Sequence, residues 1–554
     1  MRVRRSISVG GRAPSLLRSA LCLSLLLALS IAARAEANDA HLISRERIED
    51  RVVELTIETP AFTEPTKVLV DLPKGYDENP SKRWPVTYVT AGTMNNYDSF
   101  NKVIHGNELA DDYPSIIVSP DGNSGYWSDW YNAGALGPPM YETYVIDQLI
   151  PLIDDHFRTI PDRSARAIFG ISMGGYGAAM LAAHHPDLFV AAASLSGAVD
   201  SNLAANGAVL SISSTFDGGP VDAIYGPRST QEVRWRGHNP TDLATNLQDV
   251  DLQVRTANGV PNPGIGEDPA SADTASCVVE GGVHMASVNF HQKLAALHIP
   301  HLWKDYGPGC HTPPNFTRET VDTLDAFEQV LADPPAPPRS FDYRSIDPAF
   351  SVWDWSVVAD PDRALEFMRM KHAGPGGLTL IGSGQTSVTT PPFFKRLRKV
   401  DLVSAGEPAV PFRPSSEGRL SFDVDLGAAH PDQQYTDAAS AAGAGSPDYF
   451  VSRYVKFEPY ALLKLSRLSG PSSRPRVCVR SVGPAVGAER VALLDRDGRT
   501  VAKSPRIPRG PGSERCAELA PSHGSLEAGR YTLRARAHDS FGHPISAKRR
   551  VRVR

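Results

Sequence analysis

Apolar and polar residues alternate from Arg51 to Thr59 and again from Thr66 to Leu72, which predicts an antiparallel pair at the start of the fold. Val86-Thr87-Tyr88-Val89 predicts a third strand, ending at Ala91-Gly92-Thr93. Ser115 to Ser119 carries the unbroken run Ile116-Ile117-Val118, the pattern of a strand buried on both faces. From Tyr144 to Phe157, Val145, Leu149, Leu152 and Ile153 fall at helical spacing. Ala167 to Ile171 reads as another buried strand, followed by a helix ending near His184. Phe189 to Ser196, Val250 to Thr256 and His301 to Tyr306 read as strands. Val278 to Ile299 and Thr320 to Leu331 read as amphipathic helices. Such alternation predicts an α/β fold with a mostly parallel sheet covered on both faces. Ala204 to Thr245, with Trp235 and several glycines, predicts a loop-rich excursion over the sheet, where a lid or substrate wall would sit.

The period changes after the stiff linker Pro334-Pro335-Ala336-Pro337-Pro338. Phe350 to Val358, Leu378 to Thr390 and Leu420 to Leu426 alternate like strands, and the small residues of Ala438 to Ser446 predict a mobile loop. Beyond Pro475, Val477-Cys478-Val479, Val491-Ala492-Leu493-Leu494 and Tyr531 to Ala535 predict a small Ig-like sandwich with Asp495 to Gly498 as a turn. The expected organisation is a leader at 1–35, an α/β domain at 36–333, a linker at 334–340, a β-rich domain at 341–470 and the sandwich at 471–554.

The leader is expected from Arg2, Arg4, Arg5, Arg12 and Arg18 ahead of an apolar core, Ala20 to Ala33, with small residues at Ala33 and Ala35. It implies a secreted, extracellular or envelope-associated protein. No later segment has the length and apolarity of a transmembrane span. A net charge of −5, with no dominant basic region, gives no support to nucleic-acid binding. The basic end, Lys548 to Arg554, reads as a solvated edge strand. After the leader four cysteines remain, and an even number in an exported chain favours disulfides. The simplest pairing is local: Cys277 with Cys310, and Cys478 with Cys516. No cysteine–histidine spacing resembles a zinc site.

Between the buried strand at Ala167 to Ile171 and the helix ending near His184 lies Gly170-Ile171-Ser172-Met173-Gly174, a G-x-S-x-G pattern in strand–turn–helix context. A sharp turn there would present the Ser172 hydroxyl at the end of the sheet, and crowding would exclude side chains two residues either side. Serine is a weak nucleophile and needs a base, and histidine suits neutral pH. His311, on the loop after His301 to Tyr306, is best placed in chain order; His184 and His185 sit too near the serine along one helix. The acid should fall between. Glu280 is a candidate, with Glu267, Asp268 and Asp273 as rivals, and a glutamate at a helix start can equally be a cap.

The serine block, His185-Pro186 with Phe189, Ser196-Gly197, the aromatic block Gly125-Tyr126-Trp127-Ser128-Asp129-Trp130-Tyr131 and Gly309-Cys310-His311-Thr312 resemble the antigen 85 mycolyltransferases and the wider secreted putative esterases of the α/β-hydrolase superfamily. Val279-Glu280, followed by Val283 and Phe290, matches the segment carrying that family's acid. The resemblance spans roughly residues 50–333. It implies an α/β-hydrolase fold, Ser172 as nucleophile, His311 as base and Glu280 as acid. The oxyanion hole would use the backbone N–H groups of Met173 and, by family position, Thr93. Gly92 would neighbour the substrate, and Tyr126, Trp127, Trp130 and Tyr131 either wall the site or pack the core. The mycolyltransferases carry Asp-Gly-Leu-Arg where this chain has Ala91-Gly92-Thr93-Met94, and a tryptophan where it has Pro313, so trehalose specificity does not carry over. The expected activity is esterase, with no metal or organic cofactor, on small-molecule or lipid acyl esters. The rivals are an acyltransferase acting on envelope sugars or lipids, and a non-catalytic wall- or polysaccharide-binding protein built on the β-rich half.

Overall fold

In a computed structural model, which describes residues 40–131, 139–270, 273–446, 448–484, 486–507 and 514–553, nine strands form one sheet. They are β1 (His41–Arg47), β2 (Val52–Glu58), β3 (Thr66–Asp71), β4 (Val86–Thr90), β5 (Ile116–Pro120), β6 (Arg166–Ile171), β7 (Ala191–Leu195), β8 (Asp251–Thr256) and β9 (His301–Asp305), in the order β1-β2-β3-β5-β4-β6-β7-β8-β9. The first three and the β3–β5 pairing are antiparallel; from β5 to β9 every pairing is parallel. β4 and β7 are buried at every residue and β6 at all but its last, as continuous apolar runs demand in a sheet covered on both faces. With its covering helices this is an α/β-hydrolase fold. The leader expected at 1–35, and Arg554, lie outside the described residues. Among the described residues no helix is long and apolar enough to cross a membrane.

The helices that matter to the site are α1 (Ser99–Ile104), α2 (Ile150–His156), α3 (Met173–His184), α4 (Ala204–Ser213), α5 (Arg228–His238), α6 (Thr274–Ala296) and α7 (Pro313–Ala332). Every residue of α3 is buried, so it has no polar face, and its small residues let it run against the sheet. Several elements depart from expectation. β1 was not foreseen, because His-Leu-Ile-Ser-Arg-Glu-Arg is a mostly polar edge strand. The expected 144–157 helix is a wide π turn, Tyr144–Leu149, leading into α2, where Pro151 has no N–H for a regular turn. The expected loop-rich excursion is largely helical, with α4 and α5 in it and Trp235 buried in the core. α7 begins seven residues before the expected Thr320, because Pro313 and Pro314 fall in its first turn, where no N–H is needed.

Beyond the linker a six-stranded and a four-stranded antiparallel sheet share one core, with Trp355 stacked on Phe457. Ala438 to Ser446, expected as a mobile loop, overlaps a helical turn, Asp437–Ala441, whose N-terminus Thr436 caps. A three-stranded and a five-stranded sheet follow, packed through Val477, Leu493 and Leu533. The basic terminal run lies on the edge strand Pro544–Val553 of the five-stranded sheet. Both cysteine pairs are bonded as expected; Cys478 and Cys516 face each other on neighbouring strands of one sheet, rather than bridging two. The β-rich part rests directly on the first sheet's helices: Tyr343 donates to the His184 carbonyl at 2.8 Å, and Asn246 exchanges two 2.9 Å hydrogen bonds with the Arg344 backbone.

Candidate active site

Ser172 stands between β6 and α3 at φ 61° and ψ −121°, a left-handed backbone that a non-glycine residue adopts only where its surroundings force it. The forcing groups are visible. A Cβ on Gly174 would overlap the Thr90 carbonyl, and one on Gly170 would overlap Thr90 Oγ1 and the Gly174 backbone. Thr90 Oγ1 itself donates to the Gly174 carbonyl at 2.7 Å. The Ser172 N–H donates to Leu195 at 2.9 Å, pinning the turn to β7. Because α3 begins at Met173, its unpaired N–H groups start beside the serine.

His311 lies one residue before Thr312, the N-cap of α7. Its Nδ1 is 2.7 Å from Glu280 Oε2, and Glu280 has no exposed surface. Glu280 Oε1 accepts from the Ala257 N–H at 2.9 Å and from Ser196 Oγ at 2.7 Å. The Cys277–Cys310 disulfide joins the first turn of α6 to the residue before His311, whose N–H donates to Ser276 at 3.1 Å. The rival acids are engaged elsewhere. Glu267 accepts the Cys310 N–H at 3.1 Å and the Thr312 hydroxyl, Asp273 caps α6, and Asp268 accepts the Ala270 N–H.

Ser172 and His311 line one cavity of about 570 Å³. Gly92, Thr93, Met173 and Tyr126 share it. Among the described residues neither the Met173 nor the Thr93 N–H has a protein acceptor. Much of the remaining wall is aliphatic or aromatic, from α1 (Val103, Ile104), α4 (Val209), α6 (Val278, Val279, Val283) and α7 (Phe316). Its rim is unusually apolar for a surface: Met94 is 72% and Val278 69% exposed. Of the aromatic block, Tyr126 lines the cavity, and the two tryptophans follow the core-packing alternative. Trp127 is fully buried, fits against Gly122 and Gly177, and donates to the Ala91 carbonyl at 3.2 Å. Trp130 is also buried and donates to Gly125. Gly122 and Gly177 leave room in the core for the Trp127 ring, and Gly125 leaves room for the ring of Tyr141.

Among the described residues one group has metal-ligand spacing, Glu142 with His184 and His185. Its atoms satisfy one another. His184 Nδ1 and His185 Nε2 both lie 2.8 Å from Glu142 Oε1, and His184 Nε2 is 2.8 Å from the Gly237 carbonyl. Burial works against charge on His184, but the Glu142 carboxylate outweighs it and pushes the imidazole up to about 9. This is an ion pair at the C-terminal end of α3, where a cation is favoured.

Residues 59–298 match the family model described as "Putative esterase". The chain is 28% identical over 298 residues to a protein named as an esterase in Mycobacterium tuberculosis, covering 52% of this chain and 62% of that one. To the diacylglycerol acyltransferase/mycolyltransferase Ag85A of Mycobacterium gordonae it is 33% identical over 185 residues, covering 32% of this chain and 52% of that one. The chain thus spans less than two thirds of these relatives' length. Among solved structures, a ferulic acid esterase aligns with a TM-score of 0.38 at 20% identity, over 50% of this chain and 98% of its own. An S-formylglutathione hydrolase from Agrobacterium tumefaciens aligns at 0.41 and 17%, over 52% and 99%.

Around this site, sequence reasoning passed over the supporting residues. Ser196 was noted as a strand end and as half of a Ser-Gly pair but given no role, although a serine directly after a central parallel strand stands at the sheet edge where the site forms. Glu267 was weighed as an acid rather than as a clamp on the histidine loop. Thr90, which closes the serine turn, and Glu319, described below, carry no motif.

Proposed function

We propose that the chain is a serine esterase acting through an acyl-enzyme. His311 Nε2, left for the serine because Nδ1 is held by Glu280, takes the Ser172 proton as Oγ attacks the ester carbonyl. Glu280 fixes the imidazole and offsets the charge it gains. The N–H groups of Met173 and Thr93 receive the negative oxygen, aided by the positive end of α3. His311 then protonates the leaving alcohol, and water repeats the attack. The observation that carries this reading is a left-handed Ser172 sharing one cavity with a histidine bonded to a buried glutamate. The apolar wall supports an acyl chain as the group bound. The leader expected at 1–35 and the two disulfides support export, and the β-rich units at 341–470 and 471–554 are read as accessory to a catalytic unit at 36–333.

The mycolyltransferase relatives favour a second outcome for the same intermediate, in which a sugar or lipid hydroxyl replaces water. A panel of p-nitrophenyl esters of graded acyl length, run with and without such an acceptor, tests both. Free acid as the main product supports hydrolysis; acceptor-dependent ester product supports transfer. Equal turnover by wild type and Ser172→Ala ends the proposal.

A further inference from the structure

A second carboxyl group is buried behind the three side chains that the mechanism uses. Glu319, on α7, has no exposed surface. Between it and Glu280 lies Ser196, whose Oγ is 2.7 Å from Glu280 Oε1 and 3.0 and 3.2 Å from the two Glu319 oxygens. Asn315 Nδ2 is 3.3 Å from Ser196 Oγ and 3.4 Å from Glu319 Oε1.

Proton accounting decides how these groups are charged. Ser196 has one hydroxyl proton and two carboxyl neighbours. Glu280 is ringed by donors: His311 Nδ1 at 2.7 Å, the Ala257 N–H at 2.9 Å and the Thr256 hydroxyl at 3.3 Å. It meets the requirements of an anion, and the shortest Ser196 contact is to it. Among the described residues Glu319 has one long amide contact and no other donor besides Ser196. With the hydroxyl proton on Glu280, the Ser196–Glu319 contact holds two oxygens, and its hydrogen must come from Glu319.

We propose that Glu319 is a neutral carboxylic acid that donates to Ser196 Oγ, so fixing the Ser196 hydroxyl on Glu280 and positioning the Glu280–His311 pair. It rests on the triad reading above. Burial holds the Glu319 carboxyl well above the usual range, and the Glu280 charge adds to this; Ser196, Arg318 on its own helix and Arg255 on β8 pull the other way and lose. A single negative charge is thereby kept on the carboxyl that touches the histidine. Were Glu319 ionised, two carboxylates would compete for one proton and His311 would be held more basic.

The test compares wild type, Glu319→Gln and Glu319→Ala. Infrared difference spectra of wild type against Glu319→Gln, at neutral to mildly alkaline pH, should show one protonated-carboxyl C=O stretch lost in the variant; no such band overturns the proposal. In kinetics normalised to fluorophosphonate-titrated sites, Glu319→Ala should lower kcat by about ten- to a hundredfold with little change in KM. Glu319→Gln, whose amide can donate in place of the acid proton, should restore most of that, with the acid limb of the kcat/KM profile unmoved. A Gln variant as slow as the Ala variant, or with that limb shifted to lower pH, overturns the proposal. Should Glu319→Ala not fold, the infrared comparison and the Gln profile still decide. A wild type that takes no fluorophosphonate label sinks the esterase reading instead, and the infrared band then judges Glu319 alone.

Discussion

Ser172 is reactive in this account because neighbours hold its backbone where serine does not settle by itself. The positive φ is maintained by Thr90, which closes over Gly174, and by the bond from Ser172 N–H to β7. Gly174→Ala should therefore cost about 1–3 kcal/mol of stability and disturb the elbow, visible as a lower Tm together with lost ester turnover. A surface Gly218→Ala, with open space around it but positive φ, gives the milder comparison. Glu280→Gln keeps the shape but removes the charge facing His311, so kcat should fall about ten-thousand-fold while the protein stays folded. Residues tied to a turn were legible in the sequence: Ser172 through its flanking glycines, His311 through its place after the last strand. Ser196, Glu267 and Glu319 were not, because each acts through a partner more than forty positions away in the chain, and nothing local marks it.

At the level of elements, the site is where three segments distant in sequence are held in register. The turn between β6 and α3 brings Ser172, α6 brings Glu280 and the loop before α7 brings His311, and the Cys277–Cys310 bond ties the last two together across 33 residues. Replacing both cysteines by serine should cost about 3–4 kcal/mol. Mild reduction of the wild type should lower activity as the His311 loop loosens, read by the loss of fluorophosphonate labelling. α1, α4 and α6 line the cavity with aliphatic residues and leave Met94 and Val278 exposed at its rim. Each methylene they cover is worth about 0.8 kcal/mol. Met94→Asp with Val278→Asp should thus depress kcat/KM for long-chain esters far more than for acetate, in a chain-length series. The strand-and-helix order of this part was readable from periodicity alone. The excursion at 204–245 was not, since α5 carries several charged residues and its buried apolar pair, Val233 and Trp235, stands two residues apart and so marks no single helical face.

Across the whole molecule, the nine-stranded sheet and the β-rich part meet at the far end of the serine helix. Tyr343 bonds the carbonyl of His184, the same residue whose side chain is paired with Glu142. Burial opposes charge on Glu142, yet His184 and His185 hold its carboxyl well below its usual value. The signs follow from linkage. His184, raised to about 9, contributes stability fully present below its unfolded value and lost as pH rises through about 9. Glu142 contributes stability present above the ordinary carboxylate range and lost as pH falls through its depressed value. Thermal unfolding should show a plateau between those limits, and Glu142→Ala, which strands a buried cation, should cost about 3–5 kcal/mol and flatten the alkaline edge. The central claim, though, is that one hydroxyl is activated by one histidine. Mass-spectrometric mapping of a fluorophosphonate adduct is the most direct measurement of it: wild type should carry the label on Ser172, with labelling abolished in Ser172→Ala and slowed at least a hundredfold in His311→Ala. An adduct on another residue, or equal labelling of wild type and His311→Ala, would contradict the account.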